Sequence, residues 1–130
     1  MKSTRKPRRK KSKRSLRTKA DTLFSKYIRG RDKKCQRCEK TTQLQAAHVI
    51  SRACLTTRYD YDNCLTLCAD CHLNWAHRNP LEFTEFIYER LGEERYHKLM
   101  DKAKHPEQMT IEKYEAIIND LIGRLNENHD

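Results

Sequence analysis

Cys64-Leu65-Thr66-Leu67-Cys68-Ala69-Asp70-Cys71-His72 closes a pattern that Cys35-Gln36-Arg37-Cys38 opens, and that pairing decides the fold. Each Cys-x-x-Cys sets two sulfurs on one tight turn at the reach a tetrahedral zinc ion requires, so two such pairs make a complete thiolate set. Cys35, Cys38, Cys68 and Cys71 are the expected structural zinc ligands. The interval between the pairs is longer than a plain zinc ribbon needs. It therefore holds an insertion, which carries His48 and Asn63, while His72 directly follows the last thiol.

With 36% hydrophobic and 35% charged residues in 130, the chain has little apolar material for a large core. A small zinc-stapled unit, in which metal binding and folding are coupled, offsets that shortage. A disulfide framework is the alternative use of the 6 cysteines, but it belongs to secreted chains. The first residues are Lys and Arg with no apolar stretch behind them, so no signal peptide is read. No run approaches membrane-spanning length, and a cytoplasmic location is expected. Cys54 and Cys64 have no partner at metal spacing and read as small packing residues.

Charge is concentrated at the start. Residues 1–19 hold 11 of the 28 Lys and Arg and no acid, which leaves 17 basic residues against all 18 acidic ones in the remainder. Such a segment repels itself and reads as a disordered arm that neutralises phosphates, with Arg8, Arg9, Lys10, Lys11, Lys13 and Arg14 as its nucleic-acid contacts. A solubilising tail or an address signal is the plainer alternative.

Beyond the arm, Leu23, Phe24, Tyr27 and Ile28 fall at helical spacing over residues 20–29, and Gly30 offers a left-handed stop. Residues 43–50 predict a strand, Cys64–Leu67 a second, and the second Cys pair opens a helix through His72, Trp75 and Ala76. Asn79 can cap, Pro80 suits the first helical position and Glu82 can bond back to the cap, predicting a helix over 80–91 ended by Gly92. Residues 93–104 predict another, broken at His105-Pro106. Thr110 then caps a helix whose Ile111, Tyr114, Ile117, Ile118, Leu121, Ile122 and Leu125 form an apolar stripe, read as core or as a dimer face. The expected organisation is α+β: an arm over 1–19, a core over 20–80 and a helical extension over 81–130.

The run Ala46-Ala47-His48-Val49-Ile50, then Tyr61-Asp62-Asn63-Cys64-Leu65-Thr66-Leu67-Cys68, then Cys71-His72, resembles the HNH endonuclease motif, a ββα-metal core here set inside a four-cysteine zinc site. Within that superfamily, Arg58-Tyr59-Asp60-Tyr61-Asp62-Asn63-Cys64 and the basic arm are similar to phage recombination endonucleases of the Rap (NinG) type. The resemblance implies hydrolysis of DNA phosphodiester bonds, including those of branched intermediates. It implies that Asn63 orients His48 from the turn before the second strand, and that His72 ligates a catalytic divalent ion such as magnesium or manganese. A homodimer through the last helix would suit symmetric junction cleavage.

Chemistry supports the same residue types. Phosphodiester hydrolysis needs an activated water and a cation to stabilise charge on phosphate and leaving oxygen. A neutral imidazole can take a proton near neutral pH, which makes His48 the expected base. Family members commonly carry Asp or His before that base, where this chain has Ala47. His77, Asp60 and Asp62 are the substitutes to consider as metal ligands, His77 first, although five residues from His72 is a poor spacing on an ideal helix. Arg52 and Arg58 could clamp phosphates or be solvated charge. His48 could be a packed strand histidine, and His72 could replace Cys71 on the zinc. A zinc-ribbon binder without catalysis and an RNA-binding or assembly factor are the competing functions.

Overall fold

The computed structural model describes residues 12–127. It begins with helix α1 (Lys13–Asp32), capped by Ser12, whose hydroxyl accepts from the Ser15 amide at 3.1 Å. The helix starts seven residues earlier than the apolar spacing around Phe24 predicts. Residues 13–19 are therefore helical rather than part of an arm, because Leu16 and Ala20 extend the buried stripe of Phe24 and Ile28 at four-residue intervals. Gly30 does not end it either. Arg31 and Asp32, one turn of contacts further on, hold the chain in register. Arg31 donates to the Tyr61 and Cys64 carbonyls at 2.9 Å each, and Asp32 accepts the Thr66 amide at 2.8 Å. The exit falls at Lys33 in a left-handed conformation (φ 66°).

Strands β1 (Leu44–His48) and β2 (Cys64–Cys68) pair antiparallel, from Leu44 opposite Cys68 to His48 opposite Cys64. Between them lie the short helix α2 (Leu55–Arg58) and a 3-10 turn, Tyr61–Asn63. This two-stranded sheet divides two cores, which is why every residue of β2 is buried. On one side Cys64 and Ala46 meet α1 and α5 (Ile111–Glu127) through Phe24, Ile28, Tyr114, Ile118 and Leu121. On the other, Ala47, Leu65 and Leu67 meet Trp75, Ala76, Phe83, Ile87 and Leu99, from a π-helical turn (Cys71–Ala76), α3 (Pro80–Leu91) and α4 (Glu93–Lys104).

The α3 boundaries agree with the sequence, but its cap differs. Asn79 makes no side-chain cap bond, and Glu82 instead accepts from the Trp75 indole at 2.9 Å, tying α3 to the π-turn. Gly92, at φ 83°, separates α3 from α4. Thr110 accepts the Lys113 amide at 3.2 Å, the bond of a helix cap. The α5 stripe is spent largely on α1: Tyr114 and Leu121 are 0% exposed, so their burial within one chain accounts for the pattern that also reads as a dimer face.

Candidate functional site

The four thiols are brought to one point by the loop after α1, the end of β2 and the start of the π-turn. Their sulfurs all lie within 4.8 Å of one another, and Cys38 and Cys68 are 3.7 Å apart. A zinc ion with bonds of about 2.3 Å to sulfur has tetrahedral edges of about 3.8 Å, so the cluster can hold a structural zinc. The donor chemistry agrees. Burial opposes ionisation of Cys35, yet the backbone around Cys38, Cys68 and Arg37 draws its thiol down to about 6. Burial and the neighbouring thiols push Cys71 up to about 12, so a nearby cation is what would let all four ionise together. Arg37 lies over the Trp75 ring at 4.4 Å with a guanidinium nitrogen 3.7 Å from the Cys71 sulfur, closing the outside of the cluster. His72 stands outside this thiol set.

His48 closes β1. Its Nε2 is 3.0 Å from the Arg58 carbonyl, and a carbonyl can only accept, so Nε2 carries the proton and the Nδ1 lone pair is left available. Burial lowers its pKa, and the Arg52 and Arg58 charges act in the same direction, so the ring is neutral at pH 7. Asn63 is 0% exposed and every polar atom of its side chain is used: it accepts the Ile50 amide at 2.7 Å and donates to the Ile50 and Thr57 carbonyls at 3.2 and 2.9 Å. Its own carbonyl accepts the Val49 amide at 2.9 Å. Asn63 thus locks the chain just beyond His48 to the turn that supplies the Arg58 carbonyl. It makes no hydrogen bond to the imidazole.

His72 and His77 come together because the intervening turn is π-helical. In an α-helix a separation of five residues points two side chains about 140° apart. The bond from the His77 amide to the His72 carbonyl, 3.2 Å, is the wider i to i+5 closure, and it brings the rings to 4.7 Å between centroids. Burial, then the His77 charge, lowers the His72 pKa. Its Nδ1–H donates to Gln45 Oε1 at 2.8 Å, which leaves the Nε2 lone pair available to accept a proton or ligate a metal. Gln45 escapes sequence reading, since only the pairing register puts it beside His72.

His48, His72 and His77 line one cleft of about 380 Å³ with Ala47, Pro80 and Thr84. Asp60 and Asp62 do not line it. Asp60 accepts from Lys102 at 3.0 Å and Asp62 pairs with Arg95. Among the described residues the four cysteines are the one group of three or more metal-binding side chains. Arg58 is turned inward, its side chain 13% exposed and bonded through Nε and Nη2 to Asp21 at 3.0 and 2.5 Å. Arg52 reaches the same carboxylate at 3.1 Å but is 57% exposed. Lys13 and Arg14 lie in the first turn of α1, while Arg8, Arg9, Lys10 and Lys11 fall outside the described residues. No described helix is long and apolar enough to cross a membrane.

Comparison with curated proteins and with solved structures found no match. A family model described as the bacteriophage lambda NinG protein matches residues 1–129, nearly the whole length, and the chain belongs to that NinG family.

Proposed function

We propose that this chain is a metal-dependent HNH-type endonuclease that hydrolyses DNA phosphodiester bonds in phage recombination, with branched intermediates among its substrates. The single observation that carries the reading is that His48 and His72 line one cleft with complementary lone pairs free. His48 acts as general base. Its Nε2–H is held by the Arg58 carbonyl, Nδ1 accepts a proton from the attacking water, and burial keeps the ring unprotonated at working pH. Asn63 is a positioning residue, tying the chain just beyond His48 to the turn that carries that carbonyl. His72 and His77 present two imidazoles on one wall, and Gln45 holds the tautomer of the first. A divalent ion on those two rings, completed by water and phosphate oxygens, would supply charge stabilisation at the scissile phosphate. The zinc cluster is the scaffold that joins β2 to the π-turn and so sets His72 against β1.

A second reading, a zinc-bearing DNA binder without catalysis, is favoured by Ala47, which is 1% exposed where the resemblance expects a metal ligand. One experiment separates the two. Purified chain and His48→Ala are incubated with supercoiled plasmid and with synthetic four-way junctions, with and without magnesium or manganese. The nuclease reading expects metal-dependent nicking that the variant loses while still shifting DNA. Binding without nicking under every metal condition overturns it.

A further inference from the structure

We propose that the solvent face of α1 carries the backbone of duplex DNA to the catalytic cleft, an assignment that rests on the nuclease reading. The sequence assigns DNA contact to an arm, but the helix continues the same chemistry as a fixed surface. At 100° per residue, Lys19, Thr22, Lys26 and Arg29 fall within about 80° of arc, opposite the buried Leu16, Ala20, Phe24 and Ile28, and Lys33 follows them at the helix exit. All five are exposed. The three cations from Lys19 to Arg29 cover about 15 Å of helix.

Two features distinguish this face from ordinary solvated charge. First, α1 itself contributes no carboxylate to it, and a neighbouring acid, Glu115 of α5, shares a groove with Lys19 without an ion pair to it. The two acids of α1 are consumed elsewhere, Asp21 by Arg58, Arg52 and Tyr59, and Asp32 by Arg31 and Arg90. Lys19, Lys26, Arg29 and Lys33 form no ion pair with a described residue, whereas in the C-terminal half Arg90, Arg95, Lys102, Lys113 and Arg124 do and only the scattered Arg78, Lys98 and Lys104 do not.

Second, the face leads into the site. Ser25, beside Thr22 and Lys26, lines a cavity of about 240 Å³ with Asp21, Phe24, Arg52 and His48. His48 then lines the cleft of His72 and His77 on its other side. A strand laid along α1 therefore meets Arg52 and next the base. Membrane binding does not suit the face, because the apolar side of α1 is buried under α5 and the sheet.

The test measures binding of the full chain to duplex DNA by fluorescence anisotropy across salt, without added divalent metal. The triple variant Lys19→Gln/Lys26→Gln/Arg29→Gln is compared with Lys98→Gln/Lys104→Gln, exposed lysines of α4 that form no described ion pair. Each lost phosphate contact lowers the slope of log affinity against log salt by about 0.9, so the triple variant should lose nearly 3. Equivalently, the drop in affinity between about 50 and about 200 mM salt shrinks by roughly 40-fold. The α4 variant should keep the parent slope, and zinc content and far-ultraviolet dichroism should match in all three proteins. An unchanged slope, an equal change in the α4 variant, or a loss seen with duplex RNA and not duplex DNA overturns the proposal. Cleavage plays no part in this readout, so a chain that binds through α1 yet never cuts would sink the nuclease reading alone.

Discussion

Replacing Asn63 by alanine should cost the fold several kilocalories, and the amount follows from its three bonds. The side chain is fully buried, accepts one amide at 2.7 Å and donates to two carbonyls at 3.2 and 2.9 Å. Each lost bond costs about 1 kcal/mol net, and more where a buried partner is left unsatisfied, so the expected loss is about 3 to 5 kcal/mol. That is a large share of the roughly 5–15 kcal/mol a domain possesses, and near 4 °C per kcal/mol it lowers the melting point by about 12–20 °C. Asn63→Asp is the sharper companion. A carboxylate can still accept from the Ile50 amide but would face two carbonyls, so its folded pKa is raised above the unfolded value. The charge penalty is then present at pH 7 and relieved as pH falls through that raised value, where the protonated carboxyl can donate. Urea unfolding at fixed excess zinc measures both variants, with Asn74→Ala as the control, since Asn74 bonds only an exposed Asp70. A loss below about 1 kcal/mol for Asn63→Ala, or an Asp variant that weakens on acidification more than the parent chain does, refutes the locking role.

Removing zinc with a strong chelator, or breaking its site with Cys68→Ser, should disorder the core around the single tryptophan, Trp75, which packs on Arg37 and Phe83. Tryptophan fluorescence should shift red and recover on adding zinc to the parent chain alone. The acid limb of the cleavage rate should lie below the ordinary histidine value near 6.5, because burial holds His48 unprotonated to lower pH. The same lowered pKa makes stability fall as pH drops from 6.5, where the unfolded chain takes up protons first, and leaves it level above; urea midpoints between pH 5 and 8 check the sign. His77→Gln should raise the magnesium or manganese needed for half-maximal nicking by about ten-fold while leaving zinc content unchanged, and an unaltered metal titration would remove His77 from the site.

Much of this organisation is legible in sequence because local rules and tertiary demands agree. The Cys spacing, the Pro80 and Gly92 boundaries of α3 and the stripe of α5 each depend on neighbours within a turn or two. The failures lie where distant groups decide. Leu16 belongs to the buried stripe of α1, but among eleven positive charges it passes for an isolated leucine, and only α5 across from it makes the stripe worth extending. Gly30 has the right chemistry for a stop, yet the bonds of Arg31 and Asp32 to β2 and its preceding turn carry the helix past it. Arg58 reads as a phosphate clamp until Asp21, 37 positions earlier, is placed beside it. Glu82 is free to complete a cap until the Trp75 indole claims it.

The π-turn has a consequence for chain length. It uses one more residue than two neighbouring imidazoles need: in an ordinary α-helix the same proximity arises at a separation of four. Removing one of the exposed Leu73 and Asn74 would let regular helical winding supply what the wide turn now supplies, leaving both rings on one wall and Trp75 and Ala76 in the core. Between Cys68 and His72 no such slack exists, since a deletion there would rotate a sulfur off the cluster and His72 away from Gln45. The segment is thus tolerant of size in one half and rigid in the other, and natural gaps among relatives should fall only in the first.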